Sequence, residues 1–268
     1  MSNQNPSGKP IQSLQRAIDI LNCFDEEHHL LSMQEISKMT ELNINTARGL
    51  VGTLLSNNLL RQSSATGKYS LGYYLVIKGE QARHQEEEIL NFCKPSMLRI
   101  ADKYRVTCSL QIANRKDIFT IYCAHASNAA YRIYTSQYVN LPLSATSSGK
   151  LLLYYNILEE NLDNLEFMDI GPLTEFTPYT ITDKTVLKQI MQNIALESCA
   201  VESEEYEIGL GSLAVPILDS TNHLIATISV SSFINSFHDH YESLLQDLRS
   251  IAERLNQHLK QEYQVGRE

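Results

Sequence analysis

The stretch from Ser32 to Gly72 limits the fold more than any other part of the chain. It opens with Ser32-Met33-Gln34-Glu35, a capping box in which a Ser hydroxyl and a Glu carboxylate satisfy helix-start amides reciprocally. The spacing predicts a short helix through Ile36 and Met39, a break at Thr40-Glu41-Leu42 and a second helix from about Asn43. Ala47, Leu50, Val51 and Leu54 recur at helical spacing, so one face of that second helix is buried. The opposite face carries Asn45, Thr46, Arg48, Gly49, Gly52 and Thr53, which are small or polar. Two short strand-like runs follow, Leu59 to Gln62 and Lys68 to Leu71, joined by Ser63-Ser64-Ala65-Thr66-Gly67. Helix, turn, helix and hairpin make a winged helix-turn-helix, which lays its second helix in the DNA major groove.

Upstream, Ser13 reads as the cap of a helix whose apolar positions are Leu14, Ala17, Ile18, Leu21 and Phe24. It runs out in Asp25-Glu26-Glu27-His28-His29, a solvated turn. The bland alternative is a small helical bundle that binds nothing, but the wing follows where DNA binding needs it. Side chains near the start of a recognition helix reach base edges, whereas Lys and Arg on the wing and flanks hold phosphates. Asn45, Thr46 and Arg48 are therefore the base-reading candidates, Arg48 being able to contact guanine bidentately. Lys68, Arg61 and Arg16 are phosphate candidates, with a solvated surface charge as the alternative for each. Gly49 and Gly52 each weaken the helix by roughly 1 kcal/mol relative to Ala.

Charge separates the two ends of the chain. The net charge is -9, which argues against a protein devoted to coating nucleic acid. Up to residue 80, however, Lys9, Arg16, Lys38, Arg48, Arg61, Lys68 and Lys78 balance Asp19, Asp25, Glu26, Glu27, Glu35, Glu41 and Glu80. The deficit thus lies in the remainder, as expected of a DNA-reading end joined to an end with another task. Five cysteines at 23, 93, 108, 123 and 199 form no CxxC pair, which argues against disulfides and a zinc site and for the cytoplasm. Residues 1–10 read as a disordered polar tail without the apolar core of a signal peptide, and no apolar run is long enough to span a membrane.

Tyr73 to about Glu88 reads as a connecting helix, and the next helix runs from near Ile89 to Tyr104 if a fresh start at Pro95 absorbs the proline, with Leu98, Ile100 and Ala101 making apolar contacts. Strands are expected at Val106–Ala113, Ile118–Ala124, Ala130–Tyr134, Gly209–Leu218 and Leu224–Ser231. Helices are expected from Ser144 or Thr146, from a cap at Thr182 through Val186, Leu187, Ile190, Ile194 and Leu196, and over about Asp239–Gln264. The fold class is α+β: an N-terminal winged helix-turn-helix at 11–73, a linker helix at 74–88 and an effector-binding and oligomerisation domain at 89–268.

Three segments resemble the IclR family of transcriptional regulators in order and spacing. They are Ser13-Leu14-Gln15-Arg16-Ala17-Ile18-Asp19-Ile20-Leu21, the wing Thr66-Gly67-Lys68-Tyr69-Ser70-Leu71-Gly72, and a C-terminal set. That set is Leu141-Pro142-Leu143-Ser144-Ala145-Thr146-Ser147-Ser148-Gly149-Lys150, then Glu204-Glu205-Tyr206-Glu207-Ile208-Gly209 with Ala214-Val215-Pro216-Ile217. The resemblance implies a GAF-like C-terminal domain that senses a small molecule, in homodimers or dimers of dimers. It places Ser147, Ser148 and Gly149 at the effector, with Ile133 and Leu141 as an apolar wall and Glu202, Leu210, Ser212, Ser229 and Ser231 opposite. The family often has Asp, Cys and His where this chain has Glu202, Ser212 and Ser144, and a basic residue at Gly49. A carboxylate among hydroxyls suits a sugar acid or a small hydroxy or keto acid.

Ser144 to Lys150 fails as a phosphate loop, because Ser144 replaces the first Gly and Leu151 the Ser or Thr. The histidines are scattered, and His125 alone lies near the strands in a position to reach the pocket. No catalytic set, cofactor or metal is expected. The expected function is a ligand-responsive repressor on a palindromic double-stranded operator. The alternatives are a winged-helix interaction protein with weakened DNA binding and, third, a small-molecule enzyme.

Overall fold

The capping box forms: Glu35 N donates to Ser32 Oγ at 3.3 Å, and Ser32 N donates to the Glu35 carboxylate at 2.7 Å. It starts the second helix of a computed structural model that describes residues 11–25, 27–83, 86–114, 117–128, 131–133, 141–159 and 173–265. The chain divides after Glu87 into two compact units. The first holds α1 (Gln12–Leu21), α2 (Met33–Met39), α3 (Ile44–Ser56), β1 (Leu60–Gln62), β2 (Tyr69–Leu71) and α4 (Tyr73–Arg83). Glu41, at φ 54°, turns the chain between α2 and α3, and Asn43 caps α3 by accepting from Thr46 N at 2.9 Å. Ile20, Leu31, Ile36, Val51, Leu54, Leu60 and Tyr69 meet in one core. Leu31 and Tyr69 exchange backbone hydrogen bonds of 3.0 and 2.7 Å, tying the approach to α2 to the wing.

Two expectations for α1 are corrected. The helix begins before Ser13, behind Ile11, and has no side-chain cap. Its packed face runs through Ala17, Ile20 and Leu21 and continues past the helix into Cys23 and Phe24, so Ala17, Leu21 and Phe24 pack as expected while Leu14 and Ile18 are exposed. Ile11, Leu14 and Ile18 form a second apolar stripe that overlaps the first on so short a helix, and fully buried Ile20 shows which one packs.

The second unit contains α5 (Glu87–Tyr104), β3 (Thr107–Asn114), β4 (Asp117–His125), α6 (Ser147–Glu159), α7 (Lys184–Glu197), β5 (Ala200–Ser203), β6 (Leu210–Leu218), β7 (Leu224–Phe233) and α8 (Ile234–Val265). The strands form one antiparallel sheet in the order β4-β3-β7-β6-β5. α5 and α8 pack on one face against Cys108, Leu110, Leu213, Val215, Ile228 and Val230. α6 and α7 cover the other face with Ile118, Ala200, Ala214 and Leu224. This is the expected α+β, GAF-like architecture.

Details differ from expectation. α5 runs unbroken through Pro95, an exposed position, with Ile100 and Ala101 buried but Leu98 exposed. Asp183, not Thr182, caps α7, accepting from Thr185 N at 2.6 Å, and Val186 and Leu196 face outward while Leu187, Met191 and Ile194 are buried. β5 carries no sequence signal beyond Ala-Val before polar residues and had no expected strand. In the expected strand 130–134, the described residues 131–133 are not strand, and the rest lies outside the described residues. α8 starts at Ile234, ahead of the expected Asp239. The expected tail at residues 1–10 also lies outside the described residues.

Two glycines give opposite expectations. A Cβ on Gly72 would stand 2.0 Å from Asn58 O, whereas one on Gly52 would meet nothing within 4 Å. Gly72→Ala should therefore destabilise the first unit by about 1–3 kcal/mol. Gly52→Ala should stabilise it by about 1 kcal/mol. Urea unfolding midpoints of the two variants check both signs.

Candidate functional site

On α3, Asn45, Arg48, Gly49, Gly52 and Thr53 are exposed and Thr46 is half-buried. Arg48 Nη1 lies 3.4 Å from Asn45 Oδ1, so these two base-reading candidates hold each other on the same face. No packing demands either helical glycine, because a Cβ on Gly49 or Gly52 would enter open space. The phosphate candidates are more engaged. Lys68 Nζ lies 3.5 Å from the Glu35 carboxylate that closes the capping box. Arg61 donates to Ser70 Oγ at 2.8 Å and to Tyr73 OH at 3.2 Å, with its guanidinium 4.9 Å from the Tyr73 ring centre. Arg16 is half-buried on α1.

In the second unit, strand alternation sends two sets of side chains to opposite faces. The face toward α5 and α8 is apolar, whereas the face toward α6 is rich in hydroxyls. One cross-strand row reads Glu202, Ser212, Ser231, Thr107 and His125 from β5 to β4. A second reads Ala214, Ser229, Ser109 and Cys123, and a third Thr227, Gln111 and Thr120. Register thus brings Glu202, Ser212, Ser229 and Ser231 together, with His125 at the far end of their row.

α6 begins on top of this face. Thr146 accepts from Gly149 N at 3.1 Å and donates to Pro142 O at 2.7 Å, so Thr146 rather than Ser144 caps the helix. Gly149 is required by packing: a Cβ there would lie 2.5 Å from Pro142 O and 2.6 Å from Leu143 Cα. Ser147 Oγ lies 2.9 Å from Ser212 Oγ. Thr227 Oγ1 lies 2.9 Å from Ser148 Oγ and 3.0 Å from Gln111 Oε1. An amide oxygen only accepts and a hydroxyl has one proton, so Thr227 donates to Gln111 and accepts from Ser148. Gln111 Nε2 donates to Ser229 Oγ at 2.8 Å, which leaves the Ser229 hydroxyl proton to point elsewhere.

The other expected wall residues play uneven parts. Ile133 offers its carbonyl to Thr107 Oγ1 at 3.2 Å. Leu210 shares the Ser212 face by alternation and pairs with Phe233, whose ring centre lies 4.3 Å from that of Tyr131. Leu141 packs into the α6–α7 core and donates its N–H to Ile118 O at 2.9 Å. Burial, with Arg132 adding to it, holds His125 below the usual imidazole range.

Sequence reading missed the charged centre of this face. Lys150 has no exposed surface, and its ammonium donates to Glu205 Oε1 at 2.6 Å and to Val201 O at 2.9 Å. Burial drives both partners toward neutrality, lowering the Lys150 ammonium and raising the Glu205 carboxyl, and their contact opposes that drive in each. Glu202 accepts from Glu205 N at 3.1 Å and bonds Ser212. Thr177 and Thr180 hydroxyls donate to Glu204 O and Glu205 O, both at 2.6 Å, and anchor the turn that carries Glu205. Gly209, at φ 84°, closes that turn. Thr107, Gln111, Thr227, Lys150 and Glu205 join the candidate site. For Thr107, Gln111 and Thr227 a signal was present as Thr107-x-Ser109-x-Gln111 and Thr227-x-Ser229-x-Ser231, whereas Lys150 and Glu205 carried none. Among the described residues, no group of three or more His, Cys, Asp or Glu could hold a metal ion, and no helix is long and apolar enough to cross a membrane.

Comparison with known proteins matches residues 81–257 to "Bacterial transcriptional regulator IclR C-terminal" and residues 13–64 to "IclR helix-turn-helix domain". The chain is 28% identical over 247 residues to the HTH-type transcriptional regulator XynR of Escherichia coli, covering 92% of this chain and 94% of XynR. It is 27% identical over 223 residues to the HTH-type transcriptional repressor AllR of Salmonella paratyphi A, covering 83% and 80%. Its fold resembles that of an IclR homolog from Microbacterium hydrocarbonoxydans solved with 4-hydroxybenzoate. The TM-score is 0.71 at 22% identity, covering 92% of this chain and 99% of the other.

Lys150→Met leaves Glu205 buried without its cation and should destabilise the second unit by about 3–5 kcal/mol near neutral pH. The loss should shrink as pH falls, because an orphaned Glu205 takes up a proton. Lys150→Met/Glu205→Leu should recover much of it, as read from thermal unfolding across pH.

Proposed function

The chain belongs to the IclR family of bacterial transcriptional regulators, and from that premise we propose that the α6 face of its second unit is the effector site of a DNA-binding repressor. The observation that carries this reading is the hydroxyl-rich sheet face under the start of α6, with Ser147, Ser148, Gly149, Glu202, Ser212, Ser229 and Ser231 gathered on it. An interior built for packing alone would be apolar there, as the opposite face is. The effector is a small organic acid or sugar acid, held by hydroxyls and the first-turn amides of α6, with Ile133, Leu141 and Leu210 at its edges. The complex of the Microbacterium homolog with 4-hydroxybenzoate supports a carboxylated ligand.

On the DNA side, Asn45, Thr46 and Arg48 read bases, and Lys68, Arg61 and Arg16 hold phosphates. The DNA-binding domain spans 11–73, helix 74–88 links it to the effector and oligomerisation domain at 89–268, and the protein works in the cytoplasm as a homodimer or dimer of dimers on a palindromic operator. Effector binding changes the population or spacing of its DNA-binding heads. Repression is supported by the likeness to AllR. The protein does no catalysis and uses no cofactor. One observation favours a second reading, a winged helix that contacts protein: Lys68 and Arg61 already have partners within the unit.

Gel shifts with genomic fragments separate these readings. Specific retardation is expected, lost on raising salt and weak on a single half-site. Arg48→Ala should reduce affinity for the specific site at least tenfold, whereas Lys68→Ala should weaken binding to all sequences about equally. No retardation of any fragment would favour the protein-contact reading. Thermal-shift screening against organic and sugar acids checks the sensor: the ligand that stabilises the protein should also change its operator affinity.

A further inference from the structure

Two carboxylates and one ammonium are buried together at the β5 edge of the polar face, among them Glu202 at 5% exposure and Glu205 at 7%. The ammonium is already committed, since Lys150 contacts Glu205 Oε1 and Val201 O. Glu205 Oε2 is buried and has no hydrogen-bond partner, so that carboxylate is itself under-supplied. Among the described residues Glu202 has no ion pair with a Lys or an Arg; its partners are Glu205 N and Ser212. From α6 it feels Lys150 at longer range, with Ser147 bonded to its partner Ser212; from its own turn it faces Glu205. β6, β7 and β3 present Ser212, Ser231 and Thr107, none of them charged, and His125 with nearby Arg132 stands at the far end of the row. A second negative charge beside a matched buried pair is expensive, and a proton removes it.

We propose that Glu202 meets the effector as a neutral carboxylic acid, an O–H donor that selects ligands presenting an acceptor oxygen, and that an anionic effector binds this protonated form, drawing a proton from solvent only to the extent that Glu202 is ionised beforehand. This deepens the effector-site reading and rests on it. The proton sits on a Glu202 oxygen and passes to solvent when Glu202 ionises; no covalent bond to the effector is made or broken. Burial pushing the Glu202 carboxyl up to about 7 agrees with the geometry. An acid effector therefore binds more weakly as pH rises through neutrality, when Glu202 turns into a repelling carboxylate.

The proton can be read without any ligand. In the full chain carrying carbon-13 at the glutamate carboxyls, one resonance, absent from Glu202→Gln, should titrate near neutrality, well above the ordinary carboxylate range. If that resonance is already ionised at pH 5, the proposal is overturned. Wild type should also lose thermal stability relative to Glu202→Gln as pH rises from about 5 to 8, because a raised carboxyl stabilises the fold only while protonated. A flat difference counts against it. Ser212→Ala, which removes a donor to the ionised form, should move the same resonance to still higher pH, and it serves if Glu202→Gln does not fold. Sodium gluconate is the ligand probe: it should raise the wild-type melting temperature more at pH 6 than at pH 8, with no such difference in Glu202→Gln. Equal stabilisation at both pH values in wild type overturns the coupling. No stabilisation at either, with the resonance still titrating near neutrality, overturns the role in effector selection and isolates the fault in the effector reading.

Discussion

A lysine with no exposed surface keeps its charge inside a protein where that charge is met at close range, and in this chain Lys150 meets Glu205 at 2.6 Å. Desolvating the two ions is unfavourable by several kcal/mol each, so the contact is poor evidence of net stability and better evidence of placement. It fixes the first turn of α6 against the turn that follows β5. With that turn set, Thr177 and Thr180 close over its carbonyls, and the adjoining residues Ser147 and Ser148 land on Ser212 and Thr227. The polar face takes its shape from an ion pair at its edge.

The same contact explains why part of the site was hidden from the sequence. Ser147 and Ser148 were legible because they sit in a segment with a recognisable order, and Ser212, Ser229 and Ser231 through the same resemblance, two-residue alternation being consistent with Ser229 and Ser231 on one face. Glu202 was legible only through resemblance; as a residue in a short, weakly patterned strand it looks like a surface acid. Lys150 and Glu205 are separated by a long stretch of chain, and no local periodicity announces that distant opposite charges will be buried together. Register supplied the rest, carrying Thr107 and His125 into the row that Glu202 begins.

The first unit shows the opposite balance. Caps, breaks and wing follow from local chemistry: Ser32 with Glu35, Asn43 with Thr46, Glu41 in a left-handed turn. What failed was part of the stripe on α1: Ala17, Leu21 and Phe24 pack into the core as expected, but Leu14 and Ile18 are exposed and Ile20 is buried in their stead. Pro95 failed for a related reason. Propensity alone would break the helix, yet burial of Cys93, Met97, Ile100 and Ala101 along one side holds α5 continuous through it.

Glu35 links two of these features. Its carboxylate accepts from Ser32 N and also lies 3.5 Å from Lys68, so a single side chain both starts α2 and holds the wing's ammonium. A nucleic-acid phosphate approaching Lys68 therefore competes with a resident rival rather than with water alone. Salt screens the rival as well as the newcomer. If Lys68 holds a phosphate as proposed, its capture would be a swap of one anion for another, with a shallower dependence on ionic strength than that of a lysine with no internal partner.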